Sequence, residues 1–398
     1  METLSVVIPA YNEEDGIEEI ARRVLAVEPD LKDVGVEKLE LLVVDDGSSD
    51  ATALIAEGID GVTLIKHEVN RGYGAALKTG FSQASGNLVG FLDADGTYPP
   101  EYFPKLCTEA MNGADLVIGS RMQGADSQMP MTRRIGNFFF ANLLSLIGRQ
   151  RVTDSASGMR VFKRDVLEEI YPLPDGLNLT PVMSTRALHE GLQIVEVPIP
   201  YSERVGRSKL SVVHDGSLFL RSIIWTALSY NPVRILGVFG ALGILVAGLV
   251  GAGILYARLQ GITSIGPWGV AALFAALVSG VGGLSVFSLG ILFNYLVSLF
   301  YDKPIRQGLF GQPIFEPSLD RHFWWMGSLV LLVGFVVAGV SLGLGLRGWE
   351  VERLWLYLLG SAMFIILGMQ LLIFWILMRV LEELSQRKIL TQNDMFGV

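Results

Sequence analysis

The sequence predicts an α/β domain with a mostly parallel sheet over residues 1–210, followed by an all-α membrane region of about four helices. Short β-branched apolar runs alternate with charged helical stretches in the first half of the chain. Long uncharged runs dominate from about Ile235 onward. The chain is 51% hydrophobic, and its mean hydropathy of +0.44 is too high for an ordinary soluble enzyme. These three observations set the predicted division of the chain.

Five apolar runs are the predicted strands. They cover residues 4–9, 41–45, 62–65, 88–92 and 115–119. In parallel sheets, ligands bind beyond the carboxyl ends of the strands. Polar signatures follow three of these strands: PAYNEE after the first, DDGSSD after the second and DAD after the fourth. This coincidence favours a binding site over ordinary turns.

Two amphipathic stretches are predicted to be helices. MTRRIGNFFFANLLSLIG, at residues 131–148, carries three consecutive Phe, which suit either a core helix or a helix on a membrane surface. Residues 211–234 are predicted to form a juxtamembrane amphipathic helix that leads into the first span.

Residues 235–380 contain the predicted spans, since about 20 apolar residues cross the hydrocarbon core. The uncharged runs Leu236–Tyr256, Phe323–Leu346 and Leu354–Met378 each suffice. A longer uncharged run, Leu259–Tyr301, is predicted to begin as a loop and to continue as one helix from about Trp268 to Tyr295. Two tight spans are the alternative for this run.

We expect the first domain and a tail at residues 381–398 to lie in the cytosol. The N-terminal METLSVVIPAYNEED has neither a basic start nor an apolar signal core. Four spans return the tail to the same side. Lys303, Arg306 and Arg321 also fall on that side, which gives a modest positive-inside bias.

Asp93 and Asp95 end the fourth predicted strand, in FLDADGTYPP. Side chains two residues apart in an extended segment share a face. Mg²⁺ prefers a few carboxylates together with substrate phosphates. The pair therefore suits a metal that is bridged to a diphosphate. Taken alone, it also suits a turn that begins at Asp95.

Three other motifs each admit a structural and a binding interpretation. DDGSSD, residues 45–50, could cap a helix or accept hydrogen bonds from a nucleobase or ribose. NRGYGAA, residues 70–76, suits close backbone packing or a diphosphate at a helix N-terminus. RVGRSK, residues 204–209, could attract anionic lipid at about 1 kcal/mol per cation, or could form an anion pocket at the bilayer surface.

Composition excludes several kinds of site and partner. The single Cys107 excludes internal disulfides and cysteine-rich zinc sites. The net charge of −9 argues against nucleic acid as a partner. The four His show no metal-ligand spacing, and we assign none of them a role.

Taken in chain order, these segments resemble the family 2 glycosyltransferases with the GT-A (Rossmann-like) fold. The matching segments are VVIPAYNEE, VVDDGSSD, NRGYGAALKTG, FLDADGTYPPE, GSR, VTDSASGMRVFKR and RVGRSKLS. They are most similar to the polyprenyl-phosphate glycosyltransferases, which include dolichol-phosphate mannose synthase. The resemblance implies transfer of a sugar from a UDP- or GDP-linked donor to a polyprenyl phosphate in the membrane, with Mg²⁺ or Mn²⁺ as cofactor. Direct displacement at the anomeric carbon would invert it.

The resemblance also implies roles for the matching positions. The donor would be bound by Pro9, Ala10, Tyr11, Glu13, Asp46, Gly72, Asp93, Asp95 and Arg121. Asp93 and Asp95 would also hold the metal. The acceptor phosphate would be bound by Arg133, Arg134, Arg204, Ser208 and Lys209. The catalytic set would be Asp95, Asp154, Arg134 and Arg204.

Thr97 departs from the pattern, since the mannose synthases usually carry a Gln there that helps to bind the metal. This leaves the sugar and the base open. A lipid monophosphate has its second pKa near roughly 6, so it is largely dianionic at neutral pH and needs cations more than a base. Asp154 would therefore orient the sugar or the arginines. The alternative, that Asp154 acts as a base, stays open.

Two other functions stay open. A transferase that acts on another lipid, such as a diacylglycerol, would need a general base rather than three cations. A membrane transport or scaffold protein that only binds nucleotide sugar would usually carry ionisable residues inside its spans, and these spans have none. A homo-oligomer is also possible, and the Gly-rich face at residues 280–283 is a candidate contact.

Overall fold

A seven-stranded sheet forms the centre of the N-terminal part of the molecule. The computed structural model describes residues 2–122, 129–147, 150–202, 212–262, 266–301, 317–349 and 351–396. The chain divides into two units, Met1–Ala227 and Leu228–Val398. Each unit is built around its own hydrophobic core.

The strands of the sheet include all five that the apolar runs predicted. They are β1 (Glu2–Ala10), β2 (Val36–Asp45), β3 (Val62–Lys66), β4 (Leu88–Phe91), β5 (Leu116–Ser120), β6 (Arg160–Lys163) and β7 (Ile194–Pro198). Their order is β3-β2-β1-β4-β6-β5-β7. Only β6 runs antiparallel to its neighbours, so the mostly parallel sheet is confirmed. β6 and β7 were not predicted, because they are short and contain charged residues.

Nine α-helices are described in or adjoining this unit. They are α1 (Ile17–Ala26), α2 (Glu28–Asp33), α3 (Thr52–Glu57), α4 (Tyr73–Gln83), α5 (Phe103–Met111), α6 (Met131–Ile147), α7 (Val166–Ile170), α8 (Leu179–Glu190) and α9 (Val212–Tyr230). In α1 the buried side chains recur at positions i, i+3, i+4 and i+7, the pattern of a helix with one face on the core. α6 and α9 are the two amphipathic helices that the sequence predicted.

The register of the parallel strands brings three polar loops together. Ala10 of β1 lies opposite Asp45 of β2, and Val7 of β1 lies opposite Phe91 of β4. The segments that follow these strands therefore begin at one edge of the sheet. β2 and β4 flank β1 on opposite sides, which opens a crevice above β1, the usual ligand position in such sheets.

The C-terminal unit contains four helices that are long and apolar enough to cross a membrane. They are α10 (Pro232–Leu259), α11 (Pro267–Tyr301), α12 (Phe323–Leu346) and α13 (Val351–Phe396). α11 is one continuous helix, so the alternative of two tight spans is wrong. α13 continues to residue 396, and most of the segment expected to be a tail is helical.

Glycines allow the helices of this unit to approach closely, as is common between membrane helices. A Cβ atom on Gly283 of α11 would lie 2.8 Å from the carbonyl oxygen of Gly240 in α10. A Cβ atom on Gly280 would lie 2.7 Å from the Met363 side chain. These two glycines therefore pack against neighbouring helices of the same chain, whereas a Cβ atom on Gly282 would meet nothing within 4 Å.

Candidate active site

A cavity of about 380 Å³ lies at the carboxyl ends of β1 and β4. All nine residues that the resemblance assigns to the donor line it: Pro9, Ala10, Tyr11, Glu13, Asp46, Gly72, Asp93, Asp95 and Arg121. Their convergence follows from the strand register, because each of the loops starts at the same edge of the sheet. The candidate donor site is therefore one continuous pocket.

The carboxylates of Asp93 and Asp95 are held by neighbouring hydroxyl groups. The Tyr73 hydroxyl donates to Asp93 Oδ1 at 2.8 Å. The backbone amide and the hydroxyl of Thr97 donate to Asp95 Oδ1 at 3.2 Å and 2.6 Å. Thr97, the position that departs from the mannose synthases, thus orients a carboxylate of the predicted metal pair.

The donor set of this pair fits a divalent cation that completes its shell from the substrate. In the described part of the chain, no group of three or more His, Cys, Asp or Glu converges on a metal position. Asp93 and Asp95 do line the same cavity. One or two carboxylates plus substrate phosphates and water are what Mg²⁺ usually takes, so two carboxylates suffice here.

Gly158 lies directly against Asp93. A Cβ atom at position 158 would lie 2.3 Å from Asp93 Oδ2, well inside van der Waals contact. The Gly158 amide donates to the Tyr98 hydroxyl at 2.7 Å, which fixes the loop in place. The glycine is therefore required by the position of the carboxylate.

We expect Gly158→Ala to push the Asp93 carboxylate aside and to weaken Mn²⁺ binding about tenfold or more, since the neighbour must move by close to a full ångström. Mn²⁺ titration in the presence of UDP or GDP measures the effect. Gly58→Ala is the matched control, because its Cβ would make only an ordinary contact at 3.5 Å. Equal Mn²⁺ affinity in both variants would contradict the prediction.

Arg121 and Asp154 form a buried, two-pronged ion pair at the base of the cavity. Arg121 Nε and Nη2 donate to the two Asp154 oxygens at 2.7 Å and 2.8 Å, and the Arg121 amide donates at 3.0 Å. The side chains are 10% and 0% exposed. The guanidinium carbon lies 5.7 Å and 5.4 Å from the ring centroids of Tyr98 and Tyr201. Burial alone would raise the pKa of Asp154, but the charge and hydrogen bonds of Arg121 hold it below its ordinary value.

Arg160 is a fully buried arginine that the sequence did not single out. Its guanidinium donates to the carbonyl oxygens of Ser157 and Ser155 and to the Ser184 hydroxyl, at 3.1, 2.8 and 2.9 Å. Burial lowers its pKa to about 10, although the nearby Asp154 opposes the shift. Arg160 thus fixes the loop that carries Asp154 and Gly158. Arg160 lies in the matching segment VTDSASGMRVFKR, but no role was assigned to it from the sequence.

The structure decides how the glycines of NRGYGAA are used. A Cβ atom on Gly72 would lie 2.6 Å from the Asp175 carbonyl oxygen, and one on Gly74 would lie 2.2 Å from the Pro174 oxygen. Both positions therefore serve close backbone packing. Gly72 has a φ of 100° and also lines the cavity, so packing and ligand approach coincide at this residue.

The DDGSSD motif joins the first two loops of the site. Asp50 accepts from the Thr52 amide at 3.0 Å, which caps the start of α3. The Ser49 amide donates to Asn12 Oδ1 at 2.8 Å, and the Asn12 amide donates to Ser48 Oγ at 2.9 Å. Among the described residues, Asp45 Oδ1 is buried without a hydrogen-bond partner. The motif therefore caps a helix and also positions the Tyr11 loop.

Of the predicted acceptor residues, the structure describes only Arg133 and Arg134, and it places them differently. Arg133 of α6 lines the cavity, whereas Arg134 is exposed and is not part of its lining. Arg204, Ser208 and Lys209 lie outside the described residues. The cavity wall beside Arg133 is formed by α6 and α9. The ring centroids of Phe140 in α6 and Phe219 in α9 lie 6.0 Å apart.

Several lining residues were not predicted as site residues. They are Tyr73, Tyr98, Met129, Thr132, Gly136, Asn137, Phe140, Leu177, Thr180, Tyr201, Asp215, Gly216 and Phe219. Most are aromatic, apolar or small, and such residues form no motif that distinguishes a cavity wall from a core. These residues can be identified as cavity-lining only from the three-dimensional structure.

Comparison with known proteins relates the two units to different families. Residues 5–171 match the family model "Glycosyl transferase family 2". Residues 232–392 match a model described as "Domain of unknown function (DUF8752)". Dolichyl-phosphate hexose transferase of Haloferax volcanii is 35% identical over 225 residues, which span 56% of this chain and 94% of that protein.

A second relative extends into the helical unit. Undecaprenyl-phosphate 4-deoxy-4-formamido-L-arabinose transferase of Klebsiella pneumoniae is 30% identical over 321 residues, spanning 78% of this chain and 93% of that protein. Among solved structures, glucosyl-3-phosphoglycerate synthase from Mycobacterium tuberculosis, with Mn²⁺, UDP and its product bound, is 25% identical, with 57% of this chain and 80% of that chain covered. Its TM-score of 0.44 is too low to support an argument about function.

Proposed function

The chain belongs to the family 2 glycosyltransferases, in the branch that acts on polyprenyl phosphates, and from this premise we propose that it transfers a sugar from a nucleotide-diphosphate donor to a polyprenyl phosphate. The observation that carries the proposal is the composition of one cavity. It is lined on one side by the paired carboxylates and by Arg121, whose ion-pair partner Asp154 is buried behind it. The other wall comes from α6 and α9, where the Phe140 and Phe219 rings and two glycines lie beside polar residues that include Arg133. A polar donor and a lipid acceptor could both reach such a cavity.

The donor half of the proposal rests on the loops around Asp93. Tyr11 is partly exposed at the rim and offers a ring on which a base can stack. Asp93 and Asp95 would hold Mg²⁺ or Mn²⁺ beside the diphosphate. A bound divalent cation would act as a Lewis acid for the negative charge that grows on the departing diphosphate. The sugar and the base are not specified by these contacts.

We assign Asp154 to positioning rather than to proton transfer. Both of its oxygens are engaged by Arg121, and its pKa is held below its ordinary value, so it is a poor base. The attacking lipid phosphate is already dianionic near neutral pH. Asp154 would therefore hold Arg121 beside the phosphates, and direct displacement would invert the anomeric carbon.

Two glycines in helix interiors support the acceptor half of the proposal. Gly136 of α6 and Gly216 of α9 both line the cavity, and a Cβ atom at either position would meet nothing within 4 Å. Glycine inside a helix costs about 1 kcal/mol relative to alanine, and packing does not require it here. We interpret the open space, beside Phe140 and Phe219, as room for the first part of the lipid.

Gly216→Leu is expected to fill this space and to raise the KM for the polyprenyl phosphate about tenfold, since a side chain of this size occupies volume that the acceptor needs. The KM for the donor should be unchanged. The melting temperature should be unchanged or higher, because leucine has a higher helix propensity than glycine. Ser217→Leu, on the exposed side of the same turn, is the control. An unchanged acceptor KM in Gly216→Leu would refute the assignment.

We further propose that the catalytic unit faces the cytosol and that α10 to α13 anchor it in the membrane. Lys303 and Arg306, in the sequence between the second and third predicted spans, give a positive-inside bias that supports this orientation. Protease treatment of sealed inverted vesicles should cut the N-terminal unit. Protection of that unit in such vesicles would reverse the assignment.

The proposal is tested by incubating the purified full-length protein with Mg²⁺, a panel of UDP- and GDP-linked sugars and a polyprenyl phosphate, and by identifying the lipid product by mass. One sugar attached through phosphate to the polyprenol is the expected product. Diacylglycerol is added in a parallel reaction. Transfer to diacylglycerol alone would make the protein a transferase for another lipid, and nucleotide-sugar binding without transfer to either lipid would favour the transport or scaffold alternative.

A further inference from the structure

His67 connects three segments of the donor site although it does not line the cavity itself. It follows β3 directly, and its side chain is 5% exposed. Its Nδ1 lies 2.7 Å from Asp46 Oδ1, and its Nε2 lies 2.9 Å from Thr79 Oγ1 in α4. The imidazole thus bridges the end of β2 to the helix that follows the glycine-rich loop.

Asp46 in turn holds that loop by its backbone. The amides of Arg71 and Gly72 donate to its Oδ1 and Oδ2 at 2.9 Å and 2.8 Å. Its own amide donates to the Ala10 carbonyl oxygen at 2.8 Å. Asp46 is 4% exposed at its side chain, and its carboxylate accepts three hydrogen bonds from within the protein. It therefore shapes the pocket chiefly by fixing its neighbours.

The hydrogen-bond roles of the imidazole follow from its partners. An ionised carboxylate only accepts hydrogen bonds, so the Nδ1 facing Asp46 carries the proton. In the neutral ring, Nε2 then accepts from the Thr79 hydroxyl. Nδ1 is thus the donor to Asp46, and Nε2 is the acceptor from Thr79. Different substitutions can remove one of these hydrogen bonds and keep the other.

We propose that His67 is a positioning residue for the nucleotide donor: by donating to Asp46, it fixes the Asp46 carboxylate that holds the Arg71–Gly72 backbone at the cavity. This deepens the proposed function and rests on it for the identity of the donor. Sequence analysis assigned His67 no role, because its contacts reach residues 12 and 21 positions away along the chain.

Two substitutions separate the two ring nitrogens. An Asn side chain places an amide at the Nδ1 position, and a Gln side chain places one near the Nε2 position. His67→Asn should therefore keep the bond to Asp46 and lose the bond to Thr79, whereas His67→Gln should do the reverse. Thr79→Val removes the second bond alone and is the matched control.

Nucleotide binding is the main readout, measured by calorimetry on the full-length protein with UDP and with GDP as probes in the presence of Mg²⁺. The probe that the wild type binds is used for the variants. We expect His67→Gln to bind it about tenfold more weakly, because a charge-assisted hydrogen bond is lost. His67→Asn and Thr79→Val should stay within about threefold of the wild type. The acceptor KM should be unchanged in all three variants.

Non-additivity provides a second test. Asp46→Asn should weaken binding at least as much as His67→Gln, because it also removes an acceptor for the Arg71 and Gly72 amides. The double variant should be little worse than Asp46→Asn alone, because His67 acts through Asp46. Additive losses would overturn the proposal. So would equal losses in His67→Asn and His67→Gln, or losses in binding that simply follow the melting temperature. If His67→Gln does not fold, folded His67→Asn provides the test. Binding by His67→Asn that is as weak as that by Asp46→Asn overturns the proposal. Binding by His67→Asn close to that of the wild type supports the proposal.

The outcome is distinguishable from failure of the proposed function. If the wild type transfers no sugar to a polyprenyl phosphate but binds UDP or GDP, and His67→Gln weakens that binding, the positioning role stands and the acceptor assignment fails. If the wild type binds neither nucleotide, the donor assignment fails, and the role of His67 at a donor site fails with it.

Discussion

Asp95→Ala is expected to reduce sugar transfer by about a thousandfold or more without unfolding the protein. The metal that Asp95 would hold stabilises several kcal/mol of developing charge on the diphosphate, and each 1.4 kcal/mol corresponds to a tenfold change in rate. Asp95 is 8% exposed, and its Oδ1 accepts hydrogen bonds from the amide and the hydroxyl of Thr97, two residues away. Its loss should therefore affect the site much more than the fold. Transfer rate at saturating Mg²⁺ and Mn²⁺ affinity are the two measurements.

Asp95→Asn and Thr97→Val are the controls for this prediction. Asp95→Asn keeps the shape and can still accept from Thr97, so a comparable loss would assign the effect to charge. Thr97→Val removes the hydroxyl that orients Asp95 and should lower Mn²⁺ affinity by a smaller factor. Full transfer activity in folded Asp95→Ala would remove the metal role from this carboxylate.

The second large effect is expected for Arg121→Met, which leaves the Asp154 carboxylate buried without its partner. Removal of one member of a buried ion pair typically costs about 3–5 kcal/mol, because the remaining charge is uncompensated. Asp154 is fully buried and accepts three hydrogen bonds from Arg121 groups, of which only the backbone amide would remain. We expect a large drop in the melting temperature together with loss of transfer.

The double variant Arg121→Met, Asp154→Leu separates stability from activity. Replacing a buried ion pair by apolar residues of similar volume is often neutral or stabilising, so the melting temperature should recover. Transfer should not recover, because the cation that would face the phosphates is gone. Recovery of both would show that the pair serves the fold alone, and a single Arg121→Met variant with normal stability would contradict the burial argument.

Much of the architecture could be predicted because it is encoded locally. The five strands are runs of β-branched residues, and the four membrane helices are long uncharged runs. The position of Asp93 and Asp95 at a strand end follows from the same pattern. The start of α11 was predicted to within one residue, but its extension to Tyr301 was not. The packing of Gly280 and Gly283 could not be predicted, because it depends on which helices lie side by side.

The site was predictable only where a motif carries it. The nine residues assigned to the donor lie in polar loops that can be recognised in the sequence, and all nine line one cavity. Arg160 and His67 were missed because their functions are defined by partners such as Ser155 and Asp46. Phe140 and Gly216 were missed because an apolar or small residue in a helix looks the same on a core as on a cavity wall.

The sequence alone determined the fold class, the membrane region and the loops that carry acidic and glycine-rich motifs, since hydrophobic period and turn residues are local properties. Only the tertiary structure decided which of these groups meet. The antiparallel strand β6 lies between β4 and β5, and this places Gly158 against Asp93 and Asp154 against Arg121. Such contacts join residues 33 or more positions apart, and strand order, which no local pattern encodes, brings them together.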